Sequence, residues 1–535
     1  MNYIKNIFVC FFILFLTQCA VRGIPDGGPK DESPPVLINA IPRDNSINFD
    51  EKRIRLYFNE YIRLDDFRKQ LVVSPPIDKS LYTISPQSGA SKYIQIDIND
   101  VLPKNTTYVF NFGQSLVDNN ESNVLPFFKY VFSTGNYIDS LKISGNIKNA
   151  FKRNPDDFIS TLLYVVDGNY SDSIIYNSLP TYVGNTLDST YFEVSNLKKG
   201  KYLLIALNDI NSNYKFEPNI EEIGFLKDFI EIPTEKELDI DIDIFKEKID
   251  FKSSRPFVET NNKISFGFIG DYKNVEIELI DSFTNGFKSI VTKNRETDTL
   301  NYWFRNIKYD SLRFIVKSND KKDSYTVKYK EKEKDSLIIT PSKKGTINLN
   351  DSFKLFSNIP ISNINNDLIS LRNKDSLSVP FETKIDENNL DVIFDFEMLP
   401  NDKYKLALLP NALIDFLGST NDTLKFDFST KSRSDYGAIK LTVQNTKSYP
   451  VIVQLTDSNE KILREKVLNS SFDPCIFENL APGKYYLKAI IDENKNEKWD
   501  PGVFLERLSP EQTFHFEEEI NVRANWIFEE KLIIK

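Results

Sequence analysis

The sequence predicts an all-β chain of tandem β-sandwiches, and three observations carry that expectation. Apolar and polar residues alternate with period two in Arg53–Phe58, Tyr93–Ile98, Leu238–Ile244 and Val275–Ile280, the pattern of strands with one buried and one wet face. The chain holds 41 Phe and 25 Tyr against 2 Met, a composition that favours strands, and no long amphipathic helical pattern accompanies it. Finally, a segment occurs twice without a gap. Leu197–Pro218 and Leu480–Pro501 share eleven of twenty-two residues at a constant offset of 283. At 535 residues the chain is too long for one core, and about 100 to 150 residues per domain gives about four or five domains.

Residues 1–18 carry Lys5 and then the apolar run Ile7–Leu16, which reads as a secretory signal. The run is shorter than the roughly 20 apolar residues of a spanning helix. It ends in Leu-Thr-Gln-Cys at 16–19, which resembles a bacterial lipobox, with Gln18 where a small residue is usual. That resemblance implies that Cys19 is the first residue of the mature chain and carries a lipid. Each buried methylene contributes about 0.8 kcal/mol, and lasting attachment needs more than one acyl chain. Residues 19–35, with three glycines and four prolines after Cys19, read as a flexible tether that cannot bury a core. Cys10 belongs to the signal and Cys19 to the anchor, leaving Cys475 alone. No intramolecular disulfide is then expected, and Cys475 reads as a small buried side chain.

The modules follow in order. Leu102-Pro103, a Tyr108 strand and Phe132-Ser133-Thr134 are echoed by Leu399-Pro400, Tyr404 and Phe428-Ser429-Thr430. Together with the 22-residue repeat this sets an A-B-middle-A-B plan: module A at 36–136, module B at 137–250, a middle β domain at 251–335, a second A at 336–432 and a second B at 433–535.

The motifs GGPKDESPP at 27–35, NAIP at 39–42, IRLYFNE at 54–60, LVVSPP at 71–76, LPKNTTY at 102–108 and FSTG at 132–135 resemble the N-terminal Ig-like domain of Bacteroidota lipoproteins. The resemblance implies Ig-like sandwiches of the surface-layer type, an outer-membrane lipid anchor and no enzymatic activity. Module B, with its Gly-Lys-Tyr strand, resembles the transthyretin-type or carboxypeptidase-regulatory-type sandwich. Asp-Ser/Thr-aliphatic triplets at Asp139, Asp172, Asp298, Asp310, Asp335, Asp375 and Asp422, with Asp188-Ser-Thr beside them, are similar to the O-glycosylation acceptor of secreted proteins of that phylum.

The repeated loops invite two readings. Asp209, Asn211, Asn213 and Glu217, with Asp492, Asn494, Asn496 and Asp500, place oxygens at positions 1, 3, 5 and 9, as a calcium ion requires. Tyr214 and Glu497 stand where an EF-hand has glycine, and position 12 has no Glu. The other reading is a hairpin turn whose Asp and Asn bond the backbone. No cofactor besides calcium and the lipid on Cys19 is indicated. His515 is the sole histidine, so no His-based triad or His-rich metal site can be assembled. The formal net charge of −10 makes nucleic acid a poor partner. The expectation is a non-enzymatic, lipid-anchored subunit of an outer-membrane complex for protein assembly or export. A surface adhesin or glycan binder is the alternative; Trp303, Trp499 and Trp526 are expected in cores.

Overall fold

A computed structural model describes residues 30–233, 240–281, 287–305, 309–319, 321–328, 332–333, 335–445 and 448–534. Cys19 and the signal segment lie outside the described residues. Among those described, helical residues are confined to single turns, Phe67–Gln70, Ile174–Asn177, Asn366–Leu368, Arg433–Asp435 and Phe504–Glu506, and the rest of the regular structure is strand. The chain is all-β, built as tandem sandwiches. It divides into two compact units: 30–142 with 181–187 and 194–199, and 143–180, 188–193 and 200–534.

In the first unit, Leu37–Ile41, Arg53–Leu64, Ser91–Ile98 and Tyr82–Ser85 form one sheet, in that order, and Val72–Ser74, Thr107–Asn111 and Lys129–Ser133 form a second. Alternation decides which face each strand buries. Ile54, Leu56, Phe58, Ile94 and Ile96 from one sheet meet Tyr108, Phe110, Tyr130 and Phe132 from the other in a single core. Each such side chain stabilises the fold by about 1.5–3 kcal/mol relative to an exposed one. The end of the proline-rich segment is held against this sandwich: Asn123 donates its amide to the carbonyls of Asp31 and Ser33, and Pro35 is buried.

In the second unit Ser160–Val165, Gly200–Leu207 and Ile223–Phe225 are antiparallel neighbours. Its first long strand, Leu141–Asn149, pairs in parallel with Ile240–Ile244. The middle segment has two sheets around Phe266, Leu300, Tyr302, Leu312 and Phe314. The second A module pairs Phe353–Ser357 with Asp391–Asp395, and Lys403–Leu408 with Leu424–Thr430, around Phe353, Leu355, Val392, Tyr404 and Phe428. In the second B module Val451–Thr456 lies between Ile462–Leu468 and Gly483–Ile491. Gly437–Asn445 there pairs in parallel with the closing strand Ile527–Ile534.

The A repeat explains its own motif. Thr134 Oγ1 donates to the Pro103 carbonyl at 2.7 Å and accepts from Thr106 N–H, while Thr430 Oγ1 donates to the Leu399 carbonyl and accepts from Asp402 N–H at 3.1 Å. The threonine therefore clasps the Leu-Pro turn in both copies. Stacked behind it are Tyr108 on Phe132, centroids 5.5 Å apart, and Tyr404 on Phe428, 5.3 Å apart.

Within the second unit the two B modules touch. Phe151 of the first packs on Trp499 of the second at 4.7 Å, Phe225 meets Phe504 edge-on at 5.4 Å, and Glu247 accepts the Phe504 N–H at 2.6 Å. Arg507 pairs with Asp172.

Candidate functional site

Each B module carries its repeated loop directly after its central strand, and the two loops have one geometry. Asp209 accepts the N–H groups of Asn213 and Tyr214 at 3.0 and 2.9 Å; Asp492 accepts those of Asn496 and Glu497 at 3.1 and 2.9 Å. Two left-handed residues produce that cradle in each copy: Ser212 and Tyr214 at φ 53 and 56°, Lys495 and Glu497 at φ 62 and 61°. Left-handed backbone is disfavoured for such side chains, so the carboxylate bonds compensate a local strain. Further on, the amide of Asn213 donates to Glu217 at 3.0 Å, and those of Asn494 and Asn496 donate to Asp500 at 2.6 and 2.5 Å. Asn211 lies on the exposed tip.

A buried glutamate closes each loop. Glu221 accepts the Glu217 N–H at 2.8 Å and Glu511 accepts the Asp500 N–H at 3.1 Å. Glu221 is 0% exposed and Glu511 8%, and burial raises the pKa of both, with neighbouring carboxylates adding to it. Glu511 was not legible in the sequence, because it reaches its loop from a later segment instead of the repeat. Among the described residues, no group of three or more His, Cys, Asp or Glu is arranged to hold a metal ion.

Residues 31–134 match the bacterial Ig-like domain family. A search of curated proteins found no match. Among solved structures, surface-layer protein SbsC, domains 1–6, is similar over 91% of this chain and 67% of its own, at 9% identity and a TM-score of 0.16. A streptococcal ancillary pilin is similar over 74% of this chain and 99% of its own, at 10% identity and a TM-score of 0.15. A three-domain titin fragment covers 54% of this chain at 11% identity and a TM-score of 0.12. Superpositions of that quality carry no functional argument.

Cys475 is 2% exposed, and burial pushes its thiol up to about 11, which makes it inert as a nucleophile at neutral pH. Trp303 is buried and donates to Thr292 Oγ1 at 3.0 Å; half-buried Trp499 donates to the Glu511 carbonyl. Trp526 departs from the core expectation: it is 57% exposed, stacked on Phe528 with Arg523 over its ring. It sits at the turn before an edge strand, where only one side of the ring has anything to pack on. Of the Asp-Ser/Thr triplets, Ser140, Ser173, Ser189, Ser311, Ser336, Ser376 and Thr423 are exposed.

Proposed function

We propose that this chain is a non-enzymatic structural and interaction protein of the bacterial envelope, held on the outer membrane through lipid on Cys19 and serving as a subunit of a larger complex. One observation carries the reading: the chain is a series of β-sandwiches, the first of which matches a bacterial Ig-like domain. Sandwiches of this kind offer edge strands and loops to partners. The closing strand Ile527–Ile534 is at the edge of its sheet and exposes Ile527 and Ile533 beside Trp526. Of the processes such a complex serves, assembly or export of outer-membrane proteins is the one we favour.

The exposed Trp526 favours a second reading, in which the chain is a surface adhesin or glycan binder with that indole as a stacking platform. Purification from detergent-solubilised membranes separates the two. Stoichiometric recovery with a β-barrel protein is expected; recovery of a free lipoprotein that binds polysaccharide would overturn the subunit reading. Cys19→Ala is expected to move the protein from the membrane to the soluble fraction, and unchanged membrane retention would remove the lipid anchor from the proposal.

A further inference from the structure

The second B module differs from the first along one row of its sheet. In the first copy Leu162, Ile205 and Phe225 are cross-strand neighbours; in the second the corresponding neighbours are Gln454, Lys488 and His515. Lys488 occupies the repeat position of Ile205. It alternates with Leu487 and Ala489 of the sandwich core, so its side chain leaves from the opposite face. There it is covered by the first copy and is only 2% exposed. Its Nζ lies 3.2 Å from the centroid of the Phe151 ring and donates to the Phe151 carbonyl at 3.3 Å.

Two members of this row, Lys488 and His515, line a cavity of about 400 Å³ together with Arg153, Thr456 and Tyr486. Its polar groups are incompletely matched. Arg153 Nη1 and His515 Nε2 are buried and have no hydrogen-bond partner. Arg153 is held in place by other atoms: its N–H donates to Glu460 at 2.9 Å, Nη2 donates to the Glu517 carbonyl, and the guanidinium lies 5.1 Å from the Tyr486 centroid. Buried polar groups are ordinarily paired, and a positioned set without partners marks a place for something else.

We propose that this cavity binds a small ligand through one compact oxyanion, a carboxylate or a phosphate group, received by Lys488, Arg153 and His515. The guanidinium and ammonium supply charge-assisted hydrogen bonds, and neutral imidazole supplies a donor from Nε2. Exposed Glu517 and Glu519 and half-buried Asp457 stand at the mouth. With half-buried Glu460, which also lines the cavity, they oppose a polyanion more strongly than a single anionic group. Burial holds both cationic groups of the floor toward their neutral forms. Burial, Lys488 and Arg153 together push His515 down to about 4, and burial pushes Lys488 down to about 8 against the opposing pull of Glu460 and Glu465. An oxyanion reverses both shifts. The proposal does not depend on the membrane anchor and stands or falls separately from it.

Because His515 is the only histidine, its imidazole resonance reports the site without ambiguity. The full chain, carrying 13C at histidine Cε1, is titrated with inorganic phosphate, with acetate and with long-chain polyphosphate. A saturable shift is expected for phosphate or acetate with Kd on the order of 1 mM or below, accompanied by a rise of the His515 pKa by about one unit or more. Tighter phosphate binding assigns a phosphate-bearing ligand, and tighter acetate binding a carboxylate. Lys488→Ile, which restores the residue of the first copy, is expected to weaken binding at least about tenfold. Arg153→Gln provides the same test should the first variant misfold. Absence of saturation by about 20 mM of either small anion, an unchanged affinity in a folded variant, or tighter binding of polyphosphate would each overturn the proposal.

Discussion

The two B modules share the carboxylate–backbone bonds of one loop to within about 0.1 Å and differ in the sheet beside it. Asp209 and Asp492 make the same pair of backbone contacts, whereas Ile205 in one strand is Lys488 in the other. In both loops the carboxylate bonds the backbone beside two left-handed residues. The sheet row answers to its cover. In the first copy it is an apolar row ending in Phe225 against Phe504; in the second it is polar and faces Phe151 and a cavity. The copies thus agree in the loop and diverge in the row, where the groups that cover the sheet differ.

The comparison is broken most severely by exchanging the row residues. Ile205→Lys puts an ammonium at a 0% exposed position. A loss of about 4 kcal/mol or more is expected, read as a collapse of the denaturation midpoint. Asp209→Ala and Asp492→Ala each remove two carboxylate bonds to backbone N–H groups beside left-handed residues, and each is expected to cost about 2–3 kcal/mol in urea unfolding. The effect should be the smaller for Asp492, because the Asn496 N–H also donates to Asn494 Oδ1 at 3.1 Å. With the turn as the function of these carboxylates, chelator leaves the melting temperature of the parent chain unchanged. A chelator-induced fall would instead assign Asp209, Asn211, Asn213 and Glu217, with Asp492, Asn494, Asn496 and Asp500, to calcium.

Lys488→Ile acts in the opposite direction. A lysine lowered to about 8 on folding binds its proton less well in the folded chain than in the unfolded one. Stability therefore rises with pH between about 8 and the ordinary lysine value of about 10.4, and the full cost is present at pH 7. Removing the amine is expected to stabilise the module by about 2 kcal/mol and to abolish that pH dependence. His515→Phe, again the residue of the first copy, has the smallest effect. With its folded pKa near 4, the parent chain loses stability as pH falls from about 6.5, where the unfolded histidine takes a proton, to about 4. The variant is expected to be flatter over that window by about 1–2 kcal/mol and unchanged at pH 7.

Much of the architecture was legible in the sequence because period-two burial and the two repeats are local signals. Ile54, Leu56 and Phe58 fall on one face as the alternation requires, and the Leu-Pro and Phe-Ser-Thr motifs proved to be two halves of one clasp. The loop carboxylates were legible for the same reason. Their closing glutamates were legible only in part, since Glu221 follows its loop closely whereas Glu511 reaches the other loop through tertiary folding. The polar row was hidden because its members lie at 454, 488 and 515, on three strands, and only cross-strand register makes them neighbours. Nor does any sequence pattern place residues 150–153 over the strand Gly483–Ile491.

In both B modules the first strand is completed in parallel by the last: Leu141–Asn149 by Ile240–Ile244, and Gly437–Asn445 by Ile527–Ile534. Such pairing joins segments about as far apart as each module permits, so loop-closure entropy is spent before the contact exists and folding is slow. For a chain that emerges vectorially from a ribosome or a translocation channel, neither module can close until nearly all of it is out. Until then its opening strand presents an unfilled edge, which makes that interval the one in which a chaperone has something to hold.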